Sequence, residues 1–231
     1  MNKALKPVLG ILLLALAAFL VWKIYSSIME PVNFNKEKAA REYVAIQRLK
    51  DIRTLQVAYK SAHNRFVSTI DSLQNFYRNG QTSVIMQIGS NDDSLAVAHT
   101  EAIKKKNRKI KAIDLYQMYQ AGDTNLVFSI ESKVPVVEAL EGALTPSFNV
   151  DSIAFIPFSG GEQIEMEAVT RTVSGVQVPL FEARIPYKKL LKGMDNQLRI
   201  NLDAKQKDQN RYEGLQVGSI SSPNNNAGNW E

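Results

Sequence analysis

The sequence predicts an α+β protein with an N-terminal transmembrane helix, a long amphipathic helix and shorter helices, and then a mainly antiparallel β-rich half. Three observations carry this. The stretch from Pro7 to Trp22 has no charged residue. After Pro31 the chain runs to Asn79 without Gly or Pro and places apolar residues at steps of three and four. Beyond residue 122, short runs with β-type residues are separated by Gly, Asn, Asp and Pro.

The first stretch reads as a membrane anchor. Ten of the sixteen residues from Pro7 to Trp22 are Leu, Ile, Val or Phe, which together favour insertion by about 3 to 6 kcal/mol. Sixteen residues rise only about 24 Å, against a hydrocarbon core of about 30 Å. Lys23 closes the gap: its aliphatic stem lies in hydrocarbon while the ammonium reaches the headgroups, and the span continues through Ile24, Tyr25 and Ile28 to Met29. Leu9, Leu12, Leu13, Leu16, Phe19 and Leu20 are the expected lipid-facing residues, and Trp22 and Tyr25 suit the interface. A cleaved secretory signal is the first alternative. It requires a small-x-small site beyond the apolar core, whereas Ala15-Leu16-Ala17 lies inside it and only a poor site follows Ser27. A buried core helix is the second. For orientation, Lys3 and Lys6 stand before the span with no acid, while Glu30, Glu37 and Glu42 are mixed with Lys36, Lys38 and Arg41 beyond it. A short N-terminal tail stays most easily in the cytoplasm. Residues 1–30 are therefore expected to form a signal anchor in the inner (cytoplasmic) membrane, with a bilayer contact over residues 7–29. Residues 31–231 then form an extracytoplasmic domain, helical over 31–121, β-rich over 122–220 and loose over 221–231.

Composition narrows the chemistry. The absence of Cys excludes disulfides, thiolate metal sites and a cysteine nucleophile together. A net charge of +5 is modest and implies no general polyanion partner. No nucleic-acid partner and no cofactor are expected.

In the second segment Ala45, Leu49, Ile52, Leu55, Tyr59 and Ala62 line one face of a helix over 36–63, with Asn35 as its expected N-cap. Arg41, Lys50 and Arg53 fall outside that stripe. The stripe either packs within the chain's own domain or, through Leu49, Ile52, Leu55 and Tyr59, pairs with a partner helix. Next, Thr69 is placed to cap a short helix with Ile70, Leu73, Phe76 and Tyr77 on one face and Gly80 as terminator. The run TSVIMQIG is strand-like, and residues 91–123 read as helix with a boundary in the lysine cluster. The runs LVFSIES, SIAFIPF, QIEMEAVTRT, VQVPLFEARI, LRINLDA and GLQVGSI read as strands, with SGGE and Ser174-Gly175 as hairpin connectors.

Chemistry-bearing constellations are sparse. His63 and His99 stand far apart and lack ligand spacing. Asp92 and Asp93 lack the run of oxygen ligands that calcium requires and suit a turn and a cap. Glu165 and Glu167 share one strand face near Glu162, the usual amphipathic pattern, although paired carboxylates can do acid–base work. The cluster KKKNRKIK, Lys104 to Lys111, has no interleaved stacking aromatic. It reads as a solvated face, with anionic lipid headgroups as the alternative contact.

The layout of apolar helix, amphipathic helix and the residues Leu55, Tyr59, Phe66 and Leu73 resembles type IV pilins and type II secretion pseudopilins, in which a helix ends in a Tyr-containing turn followed by an aromatic and a downstream Leu. That family's Gly-Phe-Thr-Leu-Ile-Glu type of cleavage site is missing, since Gly10 is followed by Ile11 and Leu12 and the span holds no Glu. The layout also resembles anchored envelope proteins of Bacteroidota. The expected function is that of a non-catalytic structural or assembly component of a cell-envelope complex, with protein partners there. The alternatives are an anchored enzyme with a carboxylate site around Glu162 or Asp151, and a lipid- or glycan-binding module.

Overall fold

The computed structural model describes residues 5–231 and confirms the α+β class. Lys3, part of the expected basic flank, lies outside the described residues.

The first element departs from expectation in its continuity. Helix α1 runs unbroken from Leu5 to His63, 59 residues or about 88 Å, with Pro31 inside it and Asn35 in mid-helix instead of at an N-cap. A helix-interior proline removes one N–H, here the donor to the carbonyl of Ser27. Ser27 is exposed, so outside groups can satisfy that carbonyl, and the strong helix formers from Lys36 to Arg41 carry the helix on. The helix ends as Asn64 enters the left-handed region at φ 57°, its N–H closing on the Lys60 carbonyl at 2.7 Å.

Helix α2 (Ile70–Asn79) begins after Thr69 and ends where the Gly80 N–H closes on the Phe76 carbonyl. Thr69 does not cap through its side chain; its hydroxyl bonds that of Ser72 at 2.7 Å. Strand β1 (Gln81–Ile88) pairs antiparallel with β2 (Phe128–Pro135), Gln81 opposite Pro135 and Ile88 opposite Phe128. Between them lie α3 (Ser94–Lys106), capped by the Asp93 carboxylate, and α4 (Ala112–Gln120), so the boundary falls in the lysine cluster. A single turn, α5 (Val136–Ala139), follows. Strands β3 (Glu165–Val173) and β4 (Val176–Pro186) are joined by Ser174-Gly175, with φ of 52° and 82°. Two consecutive positive φ values are those of the tight hairpin turn that matches strand twist. After the single turn α6 (Tyr187–Leu190) and α7 (Asn196–Asp208), strand β5 (Gly214–Gly218) pairs antiparallel with β4, giving the order β3-β4-β5. Gly218 is required there: at φ 73°, a Cβ would stand 2.2 Å from the Phe181 carbonyl oxygen.

Three expectations are corrected. SIAFIPF is a series of turns, set by the Asn149 side chain accepting from the backbone N–H groups of Asp151 and Ser152. Only Phe155 bridges, to Gln163. LRINLDA lies within α7, because Asp195 caps at Leu198 N and the pairs Gln197–Asn201 and Arg199–Asp203 stand four apart on one helix face. The expected loose tail is docked: Asn229 exchanges backbone and side-chain hydrogen bonds with Gln216 and Gly214, and the Gly218 N–H donates to the Ala227 carbonyl.

The chain forms two compact units. The first comprises residues up to Arg53, Thr145–Glu167 and Leu180–Glu231. Its buried residues include Ala45, Leu49 and Ile52 of α1, Ile153 and Ile156, Phe181 and Ile185 of β4, and Leu190 and Val217. Polar side chains of α1 tie this unit together. The Arg41 guanidinium donates to the carbonyls of Leu190 and Lys192, the Tyr187 hydroxyl donates to Glu42 at 2.6 Å, and Arg48 donates to the Phe155 carbonyl. Asp51 accepts from the Thr145 N–H at 2.8 Å and the Thr145 hydroxyl at 2.7 Å, and Arg53 pairs with Glu231 at 2.6 Å. Burial pushes the Asp51 carboxyl above the usual range although both Thr145 bonds pull the other way, and the Arg53 bond pulls the Glu231 carboxyl below it.

The second unit comprises Thr54–Leu144 and Ala168–Pro179. One of its apolar clusters joins Ala58 of α1, Phe76 of α2 and Val136, with Tyr59, Ala62, Tyr77 and Leu140 around them. Another joins Leu115, Leu126 and Phe128, with Ile88, Ile103, Ile130 and the apolar face of α4. Gln56 is wholly buried, and its amide makes both bonds of a backbone pair with Val67, donating at 2.6 Å and accepting at 3.1 Å. That reciprocity removes the cost of burying it.

Candidate functional site

The half of α1 that the anchor expectation singles out is a continuous apolar surface. Leu9, Leu12, Leu13, Leu16, Phe19, Leu20, Trp22 and Tyr25 are each at least half exposed, as are Ile24, Ile28 and Val32. Among the residues whose burial is described, the first buried one is Phe34. From Leu9 to Ile28 the helix rises about 30 Å, the thickness of a hydrocarbon core. Water would hydrate this whole surface unfavourably, whereas lipid would not. The Lys23 ammonium lies 6.0 Å from the Trp22 ring centroid and Phe19 packs beside the same ring, so the polar and aromatic residues sit together at one level of the helix. One helix of the described chain is long and apolar enough to cross a membrane, and its apolar stretch is not buried in the fold.

The stripe farther along the helix is covered. Leu49, Ile52 and Leu55 are 0% exposed, and Tyr59 is half-buried against Phe76, ring centroids 5.0 Å apart. Phe66 and Leu73, the other residues of the pilin resemblance, are buried.

Of the carboxylates, Glu162 lines a cleft of about 570 Å³ in the first unit, with Lys188, Lys189, Lys192 and Arg199. Three of its four basic side chains are engaged within the fold. Lys189 stands 3.1 Å from Glu165 and 3.8 Å from Glu162, Lys192 donates to the Ser159 carbonyl, and Arg199 pairs with Asp203. Such contacts hold a turn against a strand. The nearby Tyr212 hydroxyl is pushed up to about 12 by burial and by the Glu165 carboxylate, which keeps it neutral. Glu167 and Asp151 are exposed and do not join the cleft.

The remaining candidates take ordinary roles. Asp93 caps α3 and Asp92 bonds Ser90 in the preceding turn. His99 pairs with Asp123 at 3.0 Å. His63 stacks on Tyr59 and the two histidines share no site; among the described residues no group of three His, Asp or Glu side chains could hold a metal ion. The basic residues Lys104, Lys105, Lys106, Arg108, Lys109 and Lys111 are exposed at the end of α3 and in the loop beyond.

What sequence reasoning missed is a groove of about 470 Å³ in the second unit, between the last turns of α1 and the face of α2, lined by Tyr59, His63, Phe76, Asp71, Asn75 and Asn79 among others. The spacing of Asp71, Asn75 and Asn79 at steps of four was the available signal. The chain matches no protein-family model, no curated protein and no solved structure.

Proposed function

We propose that this chain is a single-pass protein of the inner (cytoplasmic) membrane, anchored by the first half of α1, with its N-terminus in the cytoplasm and its α+β part outside. It serves there as a non-catalytic structural or assembly component of a cell-envelope complex. One observation carries the reading. The same unbroken helix offers a bare apolar surface about as long as a bilayer core and then, from Phe34 onward, gives its side chains to a folded body. Such a helix presents the body at a membrane without a flexible linker. The ties that Lys189, Lys192 and Arg199 make around the Glu162 cleft support a structural role over acid–base chemistry.

Intact mass of the membrane-extracted protein is expected to include residues 1–30, and protease added to spheroplasts is expected to digest the chain beyond Pro31. The same protein is expected to co-purify from solubilised membranes with a defined set of envelope proteins. A mature start near Met29 would overturn the anchor. Digestion only after lysis would place the body inside, and purification with no partner would remove the assembly role.

A further inference from the structure

The groove at the end of α1 has a composition that selects its ligand. One wall is aromatic: the His63 imidazole stacks on Tyr59 with centroids 4.2 Å apart and 20° between planes, and Phe76 meets both rings edge-on at 5.0 and 5.5 Å. Along α2 run Asp71, Asn75 and Asn79, one turn apart and all exposed, with Asn79 donating to the Asn75 side-chain oxygen at 2.8 Å. That bond orients the pair and leaves the Asn75 amide hydrogens and the Asn79 oxygen available. His63 Nδ1 lies 3.2 Å from the Tyr59 carbonyl, which can only accept, so Nδ1 carries the hydrogen of that bond.

Elimination narrows the class. No Lys or Arg lines the groove and Asp71 does, so an anion is repelled. One carboxylate and one imidazole are too few to hold a metal ion. A wholly apolar ligand would desolvate three polar side chains without replacing their hydrogen bonds. A compact cation would engage Asp71 and the rings but leave the Asn75 and Asn79 amides without partners. What matches is a neutral ligand with hydroxyl groups at close spacing and an apolar C–H face to lie against the rings. We infer that this groove binds a neutral oligosaccharide, with Asp71, Asn75 and Asn79 bonding its hydroxyls and the Tyr59–His63 stack flanking its C–H face.

The test uses the full chain in lipid nanodiscs, free of sugar-headed detergent, with ¹³C-labelled histidine. The chain has only two histidines, so His63 reports the groove and His99 serves as the internal control. Tetra-N-acetylchitotetraose and maltotetraose are titrated separately to about 20 mM, which covers the weak affinity of an open, polar site. The expected result is a saturable shift of the His63 signals alone with at least one of the two sugars. Asn75→Ala and Asp71→Ala, both at exposed positions, are each expected to weaken it by about tenfold. The unperturbed His99 signal and an unchanged melting temperature verify that each variant is folded. No His63 shift with either sugar, equal shifts at both histidines, or shifts untouched by both variants would overturn the inference.

Discussion

Ile52→Ala lowers the unfolding free energy of the folded body by about 2 to 5 kcal/mol, the range for emptying a filled aliphatic site. Ile52 is 0% exposed in the structure, as are its stripe neighbours Leu49 and Leu55. Removing its outer carbons forfeits both the transfer free energy and the contacts that the surrounding atoms cannot fully re-form. Set against a total of about 5 to 15 kcal/mol for a domain, the loss is large enough to read without ambiguity. Urea unfolding of the full chain in bicelles measures it, in a Trp22→Phe background that leaves Trp230 as the only tryptophan. Val57→Ala, at an exposed position on the same helix, provides the comparison and stays within about 0.5 kcal/mol. A midpoint unmoved by Ile52→Ala would mean that the stripe is covered by another chain and not by its own fold.

Leu13→Arg combined with Leu16→Arg releases the protein from the membrane. The anchor's aliphatic and aromatic residues favour insertion by about 3 to 6 kcal/mol, while each arginine near the centre of a span opposes it by about 2.5 to 3.5 kcal/mol. Two such changes cancel the whole driving force. Both positions are at least half exposed in the structure, so the folded body loses no packing. Alkaline carbonate extraction is expected to leave the unaltered chain in the pellet and to move the double variant to the supernatant. Leu13→Ile, which keeps the hydrophobic surface, stays in the pellet. Were the first half of α1 a core helix, the double variant would instead unfold.

Those two predictions rest on parts of the chain that periodicity and composition make legible. The apolar run of α1, the α2 boundaries at Thr69 and Gly80, and the Ser174-Gly175 hairpin each follow from a local signal that tertiary packing does not oppose. Where local signals compete, the reading fails. Pro31 marks a helix boundary by its chemistry, yet one lost hydrogen bond is small beside the many that continue on both sides. In LRINLDA, alternation of Leu198, Ile200 and Leu202 mimics a strand, but an N-cap at Asp195 and side-chain pairs four apart set a helix. The tail, which composition alone reads as loose, and the turns around Asn149, where the β-type residues of SIAFIPF read as a strand, are ordered by asparagine side chains bonding distant or neighbouring backbone. The groove was legible only on one side. The α2 ladder can be counted off the sequence, whereas its meeting with Tyr59 and His63 depends on how the chain turns between residues 63 and 70.

The most direct test of the central claim, one helix whose first half lies in lipid and whose second half holds the fold, uses the absence of native cysteine. Single variants Leu13→Cys and Glu37→Cys are made in the full chain and exposed, in intact cells, to a membrane-impermeant maleimide. Glu37 stands on the same helix beyond the apolar surface with its side chain 53% exposed. Glu37→Cys is expected to label rapidly from outside, and Leu13→Cys only after the membrane is dissolved and the chain denatured. Labelling of both positions at equal rates in intact cells would contradict that claim.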